Sequence, residues 1–269
     1  MNSSPIGVFD SGLGGLTAVK RLAQLLPHEE IVYLGDTGRV PYGSRSRETI
    51  IKYAREDARF LLSHSIKAMI VACNTVSSSA LDVIAPEIAV PVFGVVEPPS
   101  ARAAALTKNG KIGVIGTAAT VRSGAYAAAI ARIDAKLTVT SAACPLFVPL
   151  VENGRVSADD IAVTTIARDY LQPVIDSGAD TVILGCTHYP LLAGAIALVL
   201  GEGVTLVDSG AVTAEFVAER LRSADLLTDR AKPGRRRYFV TDSAEDFAAQ
   251  ASRFLEADIS GTVEQITLG

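Results

Sequence analysis

The amino-acid sequence predicts an α/β fold made of two similar, mostly parallel α/β domains facing each other across a central cleft. Three observations carry that expectation. Short apolar runs alternate with helix-period patterns along nearly all of the 269 residues, as βα units on a parallel sheet require. The pattern restarts midway: Lys111-Ile112-Gly113-Val114-Ile115-Gly116 echoes Ile6-Gly7-Val8 near the start, the mark of an internal repeat. Two cysteines then sit in matching settings, Val71-Ala72-Cys73-Asn74-Thr75 and Leu184-Gly185-Cys186-Thr187-His188.

The elements follow in order. Ile6-Gly7-Val8-Phe9 reads as a strand, and Leu16, Val19, Leu22, Ala23 and Leu26 recur at helical spacing up to Pro27. Ile31-Val32-Tyr33-Leu34 is the next strand, followed by a long polar loop over 35–46 and a helix over 47–63. Ala68-Met69-Ile70-Val71 leads into Cys73, and a strand over 91–96 ends at Glu97-Pro98-Pro99. The second half repeats the scheme, with Thr181-Val182-Ile183-Leu184 leading into Cys186 and Val207-Asp208 matching Val96-Glu97. The expected domains are residues 1–97 plus 208–269, and residues 98–207. The tail from Ser209 reads as helix, strand (Tyr238-Phe239-Val240) and helix, rejoining the first domain.

Composition narrows the function classes. Hydrophobic residues make up 49 % of the chain, enough for a substantial core. The 25 basic and 29 acidic residues nearly balance, which argues against nucleic acid as the main partner, because that binding relies on clustered phosphate neutralisation. Arg235-Arg236-Arg237 reads as a solvated turn before a strand. Met1-Asn2-Ser3-Ser4-Pro5 has no basic n-region, and no apolar run reaches the length of a membrane span. A cytoplasmic protein with no membrane partner is the expectation. Three cysteines, an odd count without an export signal, read as reduced thiols. Cys144 is expected to be a small buried hydrophobe.

Ligands of open α/β sheets bind beyond the carboxyl ends of the strands. Two thiols delivered there from two halves can face one substrate, which suits a base on one face of a carbon and an acid on the other. Either alone reads more naturally as an inert core cysteine; the pairing points to a pocket, where helix N-termini are expected to lower the thiol pKa. Asp10-Ser11-Gly12-Leu13-Gly14-Gly15 follows the first strand, and its glycines permit positive φ and close backbone approach to an anionic group. Its Gly-x-Gly-Gly spacing departs from the Gly-x-Gly-x-x-Gly of a dinucleotide site. A carboxylate-binding turn with Asp10 facing the pocket is expected, the bland alternative being a helix cap. In Val40-Pro41-Tyr42-Gly43-Ser44, Tyr42, Gly43 and Ser44 can offer a hydroxyl and N–H groups to a carboxylate, or simply form a turn. Cys186-x-His188 lacks a second ligand pair, so no metal is expected and His188 is assigned to assist the neighbouring thiol. Glu152 lines the same cleft or is a solvated surface charge.

Asp10-Ser11-Gly12-x-Gly14-Gly15, Pro41-Tyr42-Gly43, Ala72-Cys73-Asn74-Thr75 and Gly185-Cys186-Thr187-His188-Tyr189-Pro190 occur together and in order. The set closely resembles the glutamate racemases, a cofactor-independent family of the aspartate/glutamate racemase superfamily. The resemblance implies two α/β domains around a cleft, interconversion of L- and D-glutamate without a cofactor, D-glutamate for peptidoglycan, and a homodimer. It implies substrate contacts at Asp10, Ser11, Tyr42, Gly43, Asn74, Thr75, Thr187 and His188, with Cys73 and Cys186 as the proton-transfer pair. An aspartate racemase or another superfamily isomerase with the same thiols is the nearest alternative. A non-catalytic amino-acid-binding regulator is the alternative from another class, and paired thiols speak against it. A pyridoxal-phosphate enzyme is disfavoured because no lysine lies at an obvious strand end.

Overall fold

The computed structural model describes residues 2–269; Met1, where the first expected domain begins, lies outside the described residues. Two sheets form, with every strand pairing parallel. The first holds β1 (Ile6–Asp10), β2 (Ile31–Gly35), β3 (Ala68–Val71) and β4 (Val92–Gly94). The second holds β5 (Lys111–Gly116), β6 (Thr138–Ala143), β7 (Thr181–Gly185) and β8 (Thr205–Asp208). The tail returns to the first sheet as β9 (Arg236–Val240) and β10 (Val263–Gln265). Every residue of β1, β2, β3 and β7 is buried, so these strands are near-continuous apolar runs, with Asp10 and Thr181 at strand ends, rather than alternating ones.

The strand orders are β10-β9-β2-β1-β3-β4 and β6-β5-β7-β8. Without the tail strands the two orders coincide, so the restart seen in the sequence is a repeat of architecture. Ile6 pairs with Ala68, and Ile112 pairs with Thr181. Cys73 lies five residues past Ala68 and Cys186 five past Thr181, so register makes the two thiols equivalent. In each half the chain moves outward from its first strand to its second, then crosses to the other side. The crevice of such a sheet opens at that switch point, between β1 and β3 in one half and between β5 and β7 in the other.

Two elements differ from expectation. The strand expected over 91–96 stops at Gly94, because Val95 and Val96 lead into the helix Glu97–Leu106, whose first turn holds Pro98 and Pro99. The tail gains β10 after the helix Ala244–Leu255; Val263 is half-buried and the next two residues are exposed, so no apolar run announces it. Helix Arg47–Ser63 forms as expected, capped by the Ser46 hydroxyl accepting from the Thr49 N–H.

One apolar cluster runs through both halves, including Ile6, Leu16, Phe147, Leu184, Val217 and Phe254. Helix Ser209–Ser223 packs on helices Leu16–Leu25 and Glu97–Leu106. Its Glu215 accepts from Arg21 at 2.6 Å and Arg102 at 3.0 Å. Among the described residues no helix is long and apolar enough to cross a membrane.

The tail is pinned by a buried ion pair. Lys67 Nζ donates to Glu29 Oε2 at 2.5 Å and to the carbonyl oxygens of Leu226 and Asn2 at 2.7 and 2.8 Å. Glu29 Oε1 accepts the Thr228 N–H at 2.7 Å. With both side chains buried, removing one partner leaves the other charge uncompensated. Lys67→Ala is expected to lower unfolding free energy by about 3–5 kcal/mol in urea denaturation; a loss below about 1 kcal/mol, as for an exposed pair, contradicts this role.

Candidate active site

Both thiols sit just past the end of a buried strand, where the backbone turns. Cys73 precedes the helix Asn74–Ser79, and the Cys186 carbonyl accepts the Tyr189 N–H in the turn Tyr189–Leu192. They are 4 % and 5 % exposed. Burial pushes Cys73 up to about 11, and the nearby Asp10 charge adds to the rise. Burial raises Cys186 further; the His188 N–H opposes it, while the charges of Asp10, Cys73 and Cys144 reinforce it. The expected lowering by helix N-termini is overturned. One of these helices has only six residues and the other is a single turn, so their dipoles are outweighed by the cost of burying a thiolate. Cys144 is fully buried, as a structural thiol should be.

Each thiol has its own polar company. Cys73 Sγ donates to Ser11 Oγ at 3.4 Å. Asp10, at the end of β1, accepts the Gly12 N–H through Oδ2 at 3.0 Å. Its Oδ1 is buried without a hydrogen-bond partner. Asp10 thus holds its turn and still presents one free oxygen. Burial raises its carboxyl above the ordinary range, against the pull of the His188 charge and of N–H groups from Gly15, Gly12 and Ser11. On the other side, His188 Nε2 lies 3.2 Å from Glu152 Oε1, an ion-pair distance without the alignment of a hydrogen bond. The Phe254 and His188 rings meet nearly at right angles, 5.6 Å between centroids. Glu152 is 39 % exposed and still faces the histidine.

The two halves touch at the 10–15 turn. A Cβ on Gly14 would lie 2.0 Å from Thr187 Oγ1 and 2.6 Å from His188 Nδ1. One on Gly15 would lie 2.6 Å from Asp10 Cβ. Gly12, Gly14 and Gly15 have no positive φ, contrary to one expected reason for them. The glycines are required for close approach of the halves. Thr187 and His188 are themselves buried.

The 41–44 loop leans on the second half, since a Cβ on Gly43 would meet Thr117 Cβ at 2.9 Å. Gly43 is half-buried, while Pro41 and Ser44 are exposed. The Tyr42 hydroxyl, expected to face a ligand, turns inward instead to Asp36 and Asp57. Thr75 Oγ1 lies 3.0 Å from Thr117 Oγ1. The Asn74 side chain, expected at the substrate, is engaged within the protein. Its Nδ2 donates to Ser209 Oγ at 3.2 Å, and its Oδ1 is 2.5 Å from the Tyr126 hydroxyl.

Sequence reasoning missed Thr117, Tyr126 and Ser209. Only Thr117 carried a signal, because the repeat that pairs Ile6 with Ile112 also places it opposite Ser11. A groove of about 960 Å³ opens elsewhere, beside Ser78, Phe93, Glu97, Arg122 and Phe216, and neither Cys73 nor Cys186 lines it. Both thiols lie in the closed junction of the halves.

Residues 8–217 match the model of the Asp/Glu/Hydantoin racemase family. The chain is 48 % identical over 263 residues to a glutamate racemase of Geobacter metallireducens, covering 98 % of this chain and 96 % of that one. It superposes on the crystal structure of glutamate racemase isoform RacE1 from Bacillus anthracis with a TM-score of 0.95 at 40 % identity, covering 100 % of this chain and 99 % of that one. The Francisella tularensis glutamate racemase in complex with D-glutamate gives 0.92 at 38 % identity, with the same coverage. Matched over most of its length and by relatives of nearly equal size, the chain belongs to the Asp/Glu/Hydantoin racemase family.

Proposed function

We propose that this chain interconverts L- and D-glutamate with Cys73 and Cys186 as a pair of opposed acid–base groups. The observation that carries the reading is the register-equivalence of the two thiols in one buried junction. Inverting an α-carbon requires removing hydrogen from one face and delivering it to the other. One thiolate and one thiol do this, and exchange roles in the reverse direction. Asp10 on the Cys73 side, and His188 with Glu152 on the Cys186 side, would move protons to and from the thiols.

Without an electron sink the α-proton is a weak acid, and an ordinary thiolate is a weak base for it. Burial narrows that gap, because a thiolate with a raised pKa is a stronger base once formed. The substrate ammonium brings a positive charge into the junction and favours that thiolate. N–H groups and hydroxyls at Ser11, Gly43, Thr75 and Thr187 would hold the carboxylates in a site cleared of water. Substrate would enter when the contact between the 10–15 turn and Thr187-His188 loosens. Family resemblance supports a homodimer working in the cytoplasm, with D-glutamate delivered to peptidoglycan synthesis.

Cys73→Ser and Cys186→Ser are each expected to lower kcat by about 10²–10⁴-fold in both directions, followed by circular dichroism of glutamate. Near wild-type turnover in either variant would exclude the pair. Gly14→Ala is expected to lower kcat/KM by about a hundredfold and to speed alkylation of both thiols by iodoacetamide, because the added Cβ forces the halves apart. Unchanged kinetics would remove the contact from the reaction. In the ligand-free protein the raised pKa leaves Cys73 mostly protonated at neutral pH, so its alkylation rate should keep climbing above pH 9. Saturation near the ordinary thiol pKa of about 8.5 would contradict the burial effect.

A further inference from the structure

Behind the 41–44 loop lies a cluster of ionisable groups that the reaction does not use. Asp36 follows β2, Asp57 lies on helix Arg47–Ser63, and both are fully buried. Tyr42, itself buried, places its hydroxyl against Asp36 Oδ2 and 3.1 Å from Asp57 Oδ2. Arg39 donates through Nε to Asp36 Oδ2 at 2.6 Å and through Nη2 to Asp57 Oδ1 at 3.1 Å, and it also pairs with Glu56. Thr241, just past β9, donates to Asp36 Oδ1 at 2.8 Å. The Tyr53 ring stacks beneath the Arg39 guanidinium at 4.2 Å.

Proton counting constrains this cluster. A phenol has one hydrogen to donate and a carboxylate has none. Tyr42 touches a carboxyl oxygen on each side, and a full hydrogen bond at both requires one neighbour to donate to it. Asp36 receives donors at both oxygens, from Arg39, Thr241 and Tyr42, and has the surroundings of an anion. Asp57 Oδ1 accepts from Arg39, which leaves Oδ2, the oxygen facing Tyr42, to carry a proton.

We propose that Asp36 and Asp57 share one proton through Tyr42, Asp57 as a neutral donor and Asp36 as an anion, and that this relay fixes the 41–44 loop from which Gly43 meets the substrate. Asp57, Tyr42 and Asp36 are then positioning residues; the inference rests on reading that loop as a substrate contact. The direction of the titration agrees. Burial, then the Asp36 charge, raises the Asp57 carboxyl well above its usual range. The groups facing it are Asp36, Arg39, Tyr42 and Glu56. A carboxyl held neutral by the fold costs stability as pH rises above the unfolded carboxyl pKa of about 3.9. Asparagine at 57 repeats the neutral acid, its amide donating to Tyr42 and its oxygen accepting from Arg39. Asparagine at 36 removes an anion that three donors require.

The test compares Asp57→Asn, Asp36→Asn and Tyr42→Phe, with Gly43→Ala as the control on the loop. KM and kcat are measured for both glutamate enantiomers, and melting at pH 6 and pH 8.5. Asp57→Asn is expected to keep KM within about twofold of wild type and to melt no lower than wild type at pH 8.5, its relative stability growing with pH. Asp36→Asn and Tyr42→Phe are expected to raise KM by about tenfold or more while kcat stays within about threefold. If Asp36→Asn does not fold, the contrast between Tyr42→Phe and Asp57→Asn decides. Damage from Asp57→Asn equal to that from the other two, or unchanged KM in Tyr42→Phe, would overturn the relay. Unchanged KM in Gly43→Ala would instead overturn the substrate contact on which it rests.

Discussion

The close contact between the 10–15 turn and Thr187-His188 is the constraint on which the rest of the structure depends. Gly14 leaves no room for a Cβ against Thr187, so the two sheets meet at their carboxyl ends with nothing between the opposing turns. That meeting buries Cys73, Cys186, Asp10 and His188 together. Burial in turn raises both thiols and Asp10. A loosened contact would re-solvate all of them at once, so packing and electrostatics at this junction are a single property.

The repeat supplies symmetry and the surroundings break it. Parallel sheets of the same order place the thiols at equivalent register positions. Yet the surroundings differ: Cys73 donates to the Ser11 hydroxyl, while beside Cys186 in the chain His188 faces Glu152. A nearly symmetric reaction needs matched bases and does not need matched assistants. In the proposed reaction each assistant sets the proton inventory of its own side, and the second half contributes Thr117 at the place where the first has Ser11.

Much of this was legible in the sequence. The cysteine settings, the restart at Lys111 and the strand-then-turn form of each motif are local patterns, and they led to two parallel sheets with thiols at strand ends. The strand of the tail was legible too, because Tyr238-Phe239-Val240 is an apolar run. What was not legible depends on three-dimensional partners. Tyr42 looked like a ligand hydroxyl because nothing local shows that Asp36 and Asp57 wait behind it. Asn74 looked free because Tyr126 and Ser209 are distant in sequence. The thiol pKa was misjudged because a short polar segment suggested a helix dipole, while burial is a property of the assembled halves. The strand β10 was missed because an exposed edge needs no apolar signature.

The most direct test of the two-thiol reading is solvent-deuterium incorporation at glutamate Cα, begun separately from each enantiomer. Two opposed groups, one removing hydrogen and the other returning solvent-derived hydrogen, place deuterium first in the product enantiomer while recovered substrate keeps its original hydrogen. The same outcome is expected from both starting enantiomers. Deuterium appearing in recovered substrate as fast as in product would mean that a single group removes and returns the proton, and would contradict the opposed thiols.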